Sequence, residues 1–201
     1  IQNVLYSYKM GRPPSAKTKI LAAARQIVEN EGAGSLTFDE LVKVSGITRG
    51  GITYHYPTKE DLLRGLLEAD FVQWDVAEAA LTPRDCDPET ARLLGFIRTL
   101  TAQDESHRRF LCGMLSAATL DPSLMDPCRQ ELRERLGRKQ WTDRDLRLHL
   151  VHLAAEGLMW QELFQMYSMP APARAKLVAL MEELTREWGT QQATKKIAKE
   201  A

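Results

Sequence analysis

The chain has 201 residues, 44% hydrophobic and 27% charged, enough for one large globular domain or two small ones sharing a core. Basic and acidic residues both number 27, which excludes a protein that coats nucleic acid through bulk charge and leaves any such role to a local basic surface. The sequence lacks an apolar run of about 18 residues, and its three cysteines lack CxxC spacing, so a membrane span, a disulfide framework and a thiolate zinc site are not expected.

Residues 1–14 are expected to form a flexible arm. The opening "IQNVLYSYKM" has no long apolar core for a secretory leader, and unpaired thiols fit a cytoplasmic protein. Residues 1–9 read equally as an appended stretch or a native arm. "GRPP" places Arg12 in an extended segment, which suits either a narrow minor groove or a loose arm.

From Ser15 onward almost everything reads as helix, and no segment shows the alternation of a strand. Ser15 is the N-cap candidate of the first helix, whose apolar stripe is Ile20, Ala24, Ile27 and Val28. Gly32 and Gly34 stop it. "TFDE" is a capping box, Thr37 with Glu40, and opens a short second helix with Phe38, Leu41 and Val42 inward. Gly46 ends that helix and Thr48 caps a third. The third carries Gly50 and Gly51, each costing about 1 kcal/mol relative to Ala in a helix interior. Such a helix needs tertiary support, here from Ile47, Ile52 and Tyr56. Thr58 and Asp61 cap a long fourth helix lined by Leu62, Leu63, Leu66, Leu67, Phe71 and Trp74. After the loop "LTPRDCDPE", helices are expected at about 88–103, 105–119, 126–139, 143–167 and 172–188, followed by a polar tail over about 190–201.

Two short helices joined by the Gly-containing turn "VSGIT" are the signature of a helix-turn-helix. In that motif the second helix enters the major groove with its N-terminal residues at base edges. The basic residues Arg12, Lys17, Lys19, Arg25, Lys43, Arg49 and Lys59 gather in this part of the chain, opposed by Glu29, Glu31, Asp39, Glu40 and Glu60.

The segment "GITRGGITYHYPTKEDLL" resembles the recognition segment of TetR family transcriptional regulators: Gly46, Ile47, Thr48, Arg49, Gly50, then Tyr54, His55, Tyr56, Pro57, and Lys59, Glu60 and Leu62 opening the next helix. "ILAAARQIVENEGAGSLTFDELVKVS" is similar to the two helices that precede it in that family, so the likeness covers about residues 15–70. Two positions depart from it. Many members carry Tyr in place of Thr53 and a basic residue in place of Asp39.

The DNA-contacting set expected from position and resemblance is Thr37, Thr48, Arg49, Gly50, Gly51, Thr53, Tyr54, His55 and Lys59. Thr37 and Thr48 mark helix N-termini that favour a phosphate. Arg49 reads either as a base-edge contact, such as guanine, or as a phosphate clamp. Gly50 and Gly51 let the backbone approach DNA closely. By resemblance His55 and Lys59 contact phosphates, and Tyr54 either does so or packs on a base edge.

The resemblance implies a C-terminal helical part that binds a small-molecule effector and pairs with a second subunit. The expected dimer face is Leu150, Leu153, Gly157 and Leu158 on one helix and Leu177, Leu180, Met181, Leu184 and Trp188 on the last. Phe96, Phe110, Met114, Trp141, Trp160 and Phe164 are the pocket candidates, since aromatic and Met side chains line adaptable sites and also fill cores. His149, His152 and Glu156 share one helix face, a spacing that suits either a metal or a polar stripe; no metal and no cofactor is expected. GxSxG, HExxH and P-loop motifs are all absent, so no catalytic role is expected.

The expected protein is therefore all-α: an arm over 1–14, a helix-turn-helix unit over 15–60, a helical effector-binding and dimerisation part over 61–189 and a tail over 190–201. The expected function is a dimeric regulator, a repressor, that binds a palindromic double-stranded operator and is released by an effector of unknown identity. The alternatives are an effector-independent architectural DNA binder with a protein partner, or a small-molecule or metal-dependent enzyme.

Overall fold

The computed structural model describes residues 15–197, with side chains through residue 190, so Arg12 and the end of the expected tail lie outside the described residues. Among these residues the regular structure is helical throughout. The helices are α1 (Ala16–Glu31), α2 (Phe38–Ser45), α3 (Arg49–His55), α4 (Lys59–Leu81), α5 (Pro88–Thr101), α6 (Glu105–Leu120), α7 (Asp126–Gly137), α8 (Asp143–Leu163) and α9 (Ala171–Ile197). Short 3₁₀ turns lie at Ala33–Ser35 and Pro122–Met125.

The N-caps read in the sequence are made, except that the reciprocal half of the "TFDE" box is not: the Glu40 carboxylate takes Lys43. Ser15 accepts from the Thr18 amide, Thr37 from Glu40, and Thr48 from Gly51. Full capping boxes close on Thr58 with Asp61 and on Thr142 with Asp145. Each cap satisfies an amide that the helix itself leaves unpaired.

Two helix ends differ from expectation. α8 stops at Leu163 rather than near 167, because Gln165 adopts φ 50° and the Met166 and Gln165 amides turn back to the carbonyls of Gln161 and Glu162. That is a Schellman turn without its usual glycine, which hid it in the sequence. Conversely, α9 runs to Ile197, past the expected end near 188. "GTQQATKKI" holds no proline, and Gln, Ala and Lys propagate a helix well.

Two apolar cores result. The first joins Ile20, Ala24, Ile27 and Val28 of α1 to Leu41 of α2, Ile52 of α3 and Leu62 and Leu66 of α4. Tyr56 and, from the far side, Phe110 and Met114 of α6 complete it. The second joins Leu93 and Ile97 of α5, Leu148, Val151 and Ala155 of α8, and Met181 of α9. α4 serves both, through Leu62 to Leu67 at one end and Trp74 at the other.

α6 reaches α1 closely because of Gly113. A Cβ built there would lie 2.6 Å from Val28 Cγ1 and 3.2 Å from the Val28 carbonyl oxygen. Gly113→Ala should therefore lower stability by about 1–3 kcal/mol, the usual cost of overpacking, measured by urea denaturation.

Candidate functional site

α2 and α3 cross at the Gly46 turn, where φ of 69° sends the chain into the left-handed region. α3 is only seven residues long and is anchored by Ile52, which is fully buried. Its opposite face is open. Tyr54 is 83% exposed, with the His55 ring edge-on to it at 5.1 Å. His55, Arg49 and Gly50 are exposed too. Tyr56 turns the other way: its ring is buried beneath the unit, and burial raises its phenol pKa.

The polar groups around this face are already engaged. Thr37 and Thr48, both exposed, use their hydroxyl oxygens as cap acceptors. Thr53 is half-buried and donates to the Gly50 carbonyl. Lys59 donates to the Gly34 carbonyl at 3.4 Å, which holds its ammonium against the turn between α1 and α2. Lys43 pairs with Glu40 at 2.8 Å, and Arg49 with Asp39 at 2.7 Å.

The two glycines are not equivalent. Nothing lies within 4 Å of a Cβ built on Gly50, whereas one on Gly51 meets Ile47 Cγ2 at 2.9 Å. Gly51 thus serves the packing of α3 against its own turn, and Gly50 leaves the outer backbone bare.

A two-helix unit with these caps, a bare outer face on its second helix and cationic groups around it is built to enter a groove. Sequence comparison agrees. Residues 20–66 match the profile of bacterial regulatory proteins of the tetR family, and residues 90–186 match the tetracyclin repressor-like C-terminal domain. The chain belongs to the TetR family. It is a DNA-binding transcription regulator with a helix-turn-helix, not an enzyme.

Among curated relatives, the HTH-type transcriptional regulator QacR of Staphylococcus aureus (strain Mu50 / ATCC 700699) is 34% identical over 58 residues, 29% of this chain and 31% of that protein. The nucleoid occlusion factor SlmA of Aliivibrio fischeri (strain MJ11) is 34% identical over 58 residues, 28% of this chain and 30% of that one. The match thus spans about a third of each relative's length. A transcriptional regulator from Rhodococcus sp. Rha1 shares the fold at a TM-score of 0.62 and 18% identity, covering 89% of this chain and 97% of that one. The multidrug binding protein EbrR complexed with imidazole does so at 0.57 and 18%, covering 88% and 96%.

In this TetR-family chain the six predicted pocket residues do not converge. Phe110 and Met114 are buried in the first core under α1. Phe96 lies half-buried in the second core, with Trp74 at 5.8 Å and His152 at 4.3 Å between ring centroids. Trp141 is exposed, edge-on to His149. Trp160 and Phe164 stack on each other at the surface, 5.8 Å apart. A cleft of about 40 Å³ instead sits among Trp74, Leu100, His107, Leu111, Met159 and Leu163.

The predicted dimer residues divide likewise. Leu150 (59%), Leu153 (49%) and Leu180 are exposed, and Gly157, Leu177, Leu184 and Trp188 are half-buried. Leu158 and Met181 are instead buried in their own subunit's core, since they lie on the inward stripe of each helix. Leu146, which the sequence reading passed over, is 52% exposed and heads a stripe running Leu146, Leu150, Leu153, Gly157, Trp160, Phe164. Its 4-3-4-3-4 spacing is a heptad seam.

His152 is buried, with Nε2 3.2 Å from Arg135 Nη2 and 3.3 Å from Glu156 Oε1. One nitrogen cannot accept from Arg135 and donate to Glu156 together, so the ring's tautomer selects its partner. Burial, then Arg92, lowers the pKa of Arg135. Arg135 borders an open groove of about 750 Å³ shared with Arg92 and Arg138, and with acids such as Glu131 and Glu134. Among the described residues no three His, Cys, Asp or Glu side chains converge on a metal position.

Sequence reasoning also missed the contact that ties α1 to the rest. Arg25 Nη1 meets Asp70 Oδ1 at 2.8 Å, and Nη2 donates to His107 Nδ1 at 3.2 Å. Its Nε meets Glu29 at 2.7 Å, and the guanidinium lies 4.1 Å from the Phe110 ring centroid. An arginine has no acceptor, so the bond to His107 forms only with the neutral tautomer that carries its proton on Nε2, whereas a proton on Nδ1 would turn that nitrogen to Asp70 Oδ1, 3.6 Å away. Burial lowers the His107 pKa, opposed by Asp70 and aided by Arg25.

Two outcomes follow from this geometry. Gly50→Ala should stabilise α3 by about 0.5–1 kcal/mol while weakening DNA binding, and Gly51→Ala should be less stable than Gly50→Ala; denaturation and duplex titration read both. Because His107 binds its proton more weakly folded than unfolded, its contribution is full above the ordinary imidazole value of 6.5 and is lost as pH falls through the lower folded value. Unfolding free energy should drop over that interval, and His107→Gln should flatten its share of the drop.

Proposed function

We propose that this TetR-family regulator is a homodimeric repressor that grips a palindromic operator with two copies of α3 and is released by a small-molecule effector. The proposed division places DNA binding in residues 15–60 and effector binding and dimerisation in residues 61–189. The observation that carries this reading is the exposed apolar stripe of Leu146, Leu150, Leu153 and Trp160 on α8, with Leu180 also exposed on α9, a helix packed against α8. Apolar side chains in that register stay out of water when a second α8–α9 pair covers them. A two-fold axis there gives two recognition helices that bind major grooves about 34–36 Å apart.

The contacts proposed on DNA are Arg49, Tyr54 and His55 from α3, the Gly50 backbone, the exposed Thr37 and Thr48, and Lys59. Thr53, tied to the Gly50 carbonyl, is left a minor part.

Release is proposed to start at the cleft beside His107. Its volume, about 40 Å³, is far below the roughly 300–1,000 Å³ that small-molecule sites enclose. An effector entering there must move α6, and α6 carries His107 against Arg25 of α1. A ligand that favours the moved arrangement shifts the population off DNA. A structural neighbour bears on the type of ligand: EbrR has been solved complexed with imidazole and with ethidium.

A second reading keeps DNA binding but dispenses with the effector, making the C-terminal part a platform for a protein partner. The small cleft and the relative named as a nucleoid occlusion factor favour it.

Selecting duplexes from a random library with the full chain and then screening small molecules for release separates the two. The repressor reading expects palindromes and at least one releasing compound. Joint Leu150→Glu and Leu153→Glu should shift sedimentation from dimer to monomer and weaken binding to the selected palindrome more than tenfold, with binding to a half-site nearly unchanged. A dimer that survives both changes would overturn the assigned seam.

A further inference from the structure

The ion pair between Asp39 and Arg49 joins the first turn of α2 to the first residue of α3. Nη1 lies 2.7 Å from Oδ1, and the guanidinium sits over the Phe38 ring, 5.5 Å from its centroid. Both side chains are solvated, with 62% of Arg49 and 79% of Asp39 exposed. A surface pair of that kind adds little to folding. A carboxylate on a surface that meets phosphates also works against DNA affinity. Its position therefore calls for a different account.

We propose that Asp39 is a specificity-determining positioning residue, holding Arg49 so that one edge of its guanidinium is committed to the protein and the other is presented to a single base pair. This rests on the reading of α3 as the recognition helix. An unheld arginine reaches many phosphates and bases by rotating its chain. Drawn to Asp39 at one nitrogen and over Phe38, it is biased toward the orientation in which its remaining N–H groups match the paired acceptors on the major-groove edge of guanine.

The same carboxylate penalises every other arrangement. If Arg49 swings to a phosphate, Asp39 is left unpaired beside the DNA backbone. Discrimination thus comes from an attraction at one base and a repulsion elsewhere. The other cations nearby do not share this geometry: Lys43 pairs within its own helix to Glu40, and Lys59 is held by a backbone carbonyl.

The test uses the full chain, the duplex it selects from a random library, and every single-base-pair variant of that duplex, at one fixed salt concentration. Asp39→Asn keeps the side chain's shape and removes its charge. It should bind unrelated duplexes several-fold more tightly, yet lose about tenfold in discrimination at one base-pair position. Arg49→Ala should flatten that same position, and the double variant should lose nothing further there. Three results overturn the proposal. Asp39→Asn could tighten all duplexes with discrimination intact, which marks simple repulsion of phosphate. It could tighten the preferred duplex most, which marks Asp39 as a clasp that keeps Arg49 from DNA. Or the positions lost by Asp39→Asn and Arg49→Ala could differ. A wild-type chain that enriches no sequence at all defeats the underlying reading of α3 before Asp39 is tested.

Discussion

The guanidinium of Arg25 is the point on which the rest of the structure depends. It stands where α1, α4 and α6 meet, with Asp70 and His107 as partners and Phe110 alongside. Apolar packing around it, including the close approach of Gly113 to Val28, is strong but largely non-directional. The charge pair is different. Asp70 is buried and Arg25 partly so, and removing one partner leaves the other uncompensated, at a cost below the roughly 3–5 kcal/mol of a fully buried pair. The pair fixes α1 against α4, while α6 is held to the same guanidinium by the His107 hydrogen bond and by Phe110. In the proposed release, a displaced α6 gives up the His107 contact for another arrangement.

The recognition helix is stable for reasons that lie outside it. Seven residues with adjacent glycines do not form a helix alone in water. Ile52 plugs α3 into the core made by α1, α2 and α4, while Gly51 fits over Ile47. α3 therefore moves as α1 moves, and α1 is held through Arg25. The DNA face and the cleft beside His107 are thus joined by one chain of contacts.

How much of this was legible in the sequence follows from the range of each interaction. Caps are local, so Thr58 with Asp61 could be read directly and is found as a full box, while at Thr37 only the half from the Glu40 amide is made, the Glu40 carboxylate taking Lys43 instead. Apolar stripes could be read as stripes. Their partners could not, because a helix in mid-bundle carries two of them. On α8 the inward stripe of Leu148, Val151, Ala155 and Leu158 and the outward one of Leu146, Leu150, Leu153 and Gly157 have similar spacing. Spacing alone therefore does not separate Leu158, which the structure buries, from Leu150 and Leu153, which it exposes, nor core aromatics from the exposed Trp160 and Phe164. Phe110 and Met114 were misplaced for a related reason: only the fold reveals that α6 docks on α1, 82 residues apart at Arg25 and His107.

Zero net charge sharpens the case for two-fold recognition. Around α3, Lys43 and Arg49 already have carboxylate partners, so bulk attraction to phosphate is muted. Few side chains remain to read bases, and Gly50 contributes none. A single unit with so sparse a contact set gains little sequence information. Two units fixed at one spacing multiply it, because the second binds at the effective concentration set by the first. The spacing then becomes part of what is read. It is also the quantity that a shift of α6 against α1 would change in the proposed dimer. A modest displacement at His107 can thus act on affinity by separating two individually weak contacts, with no need to break either one.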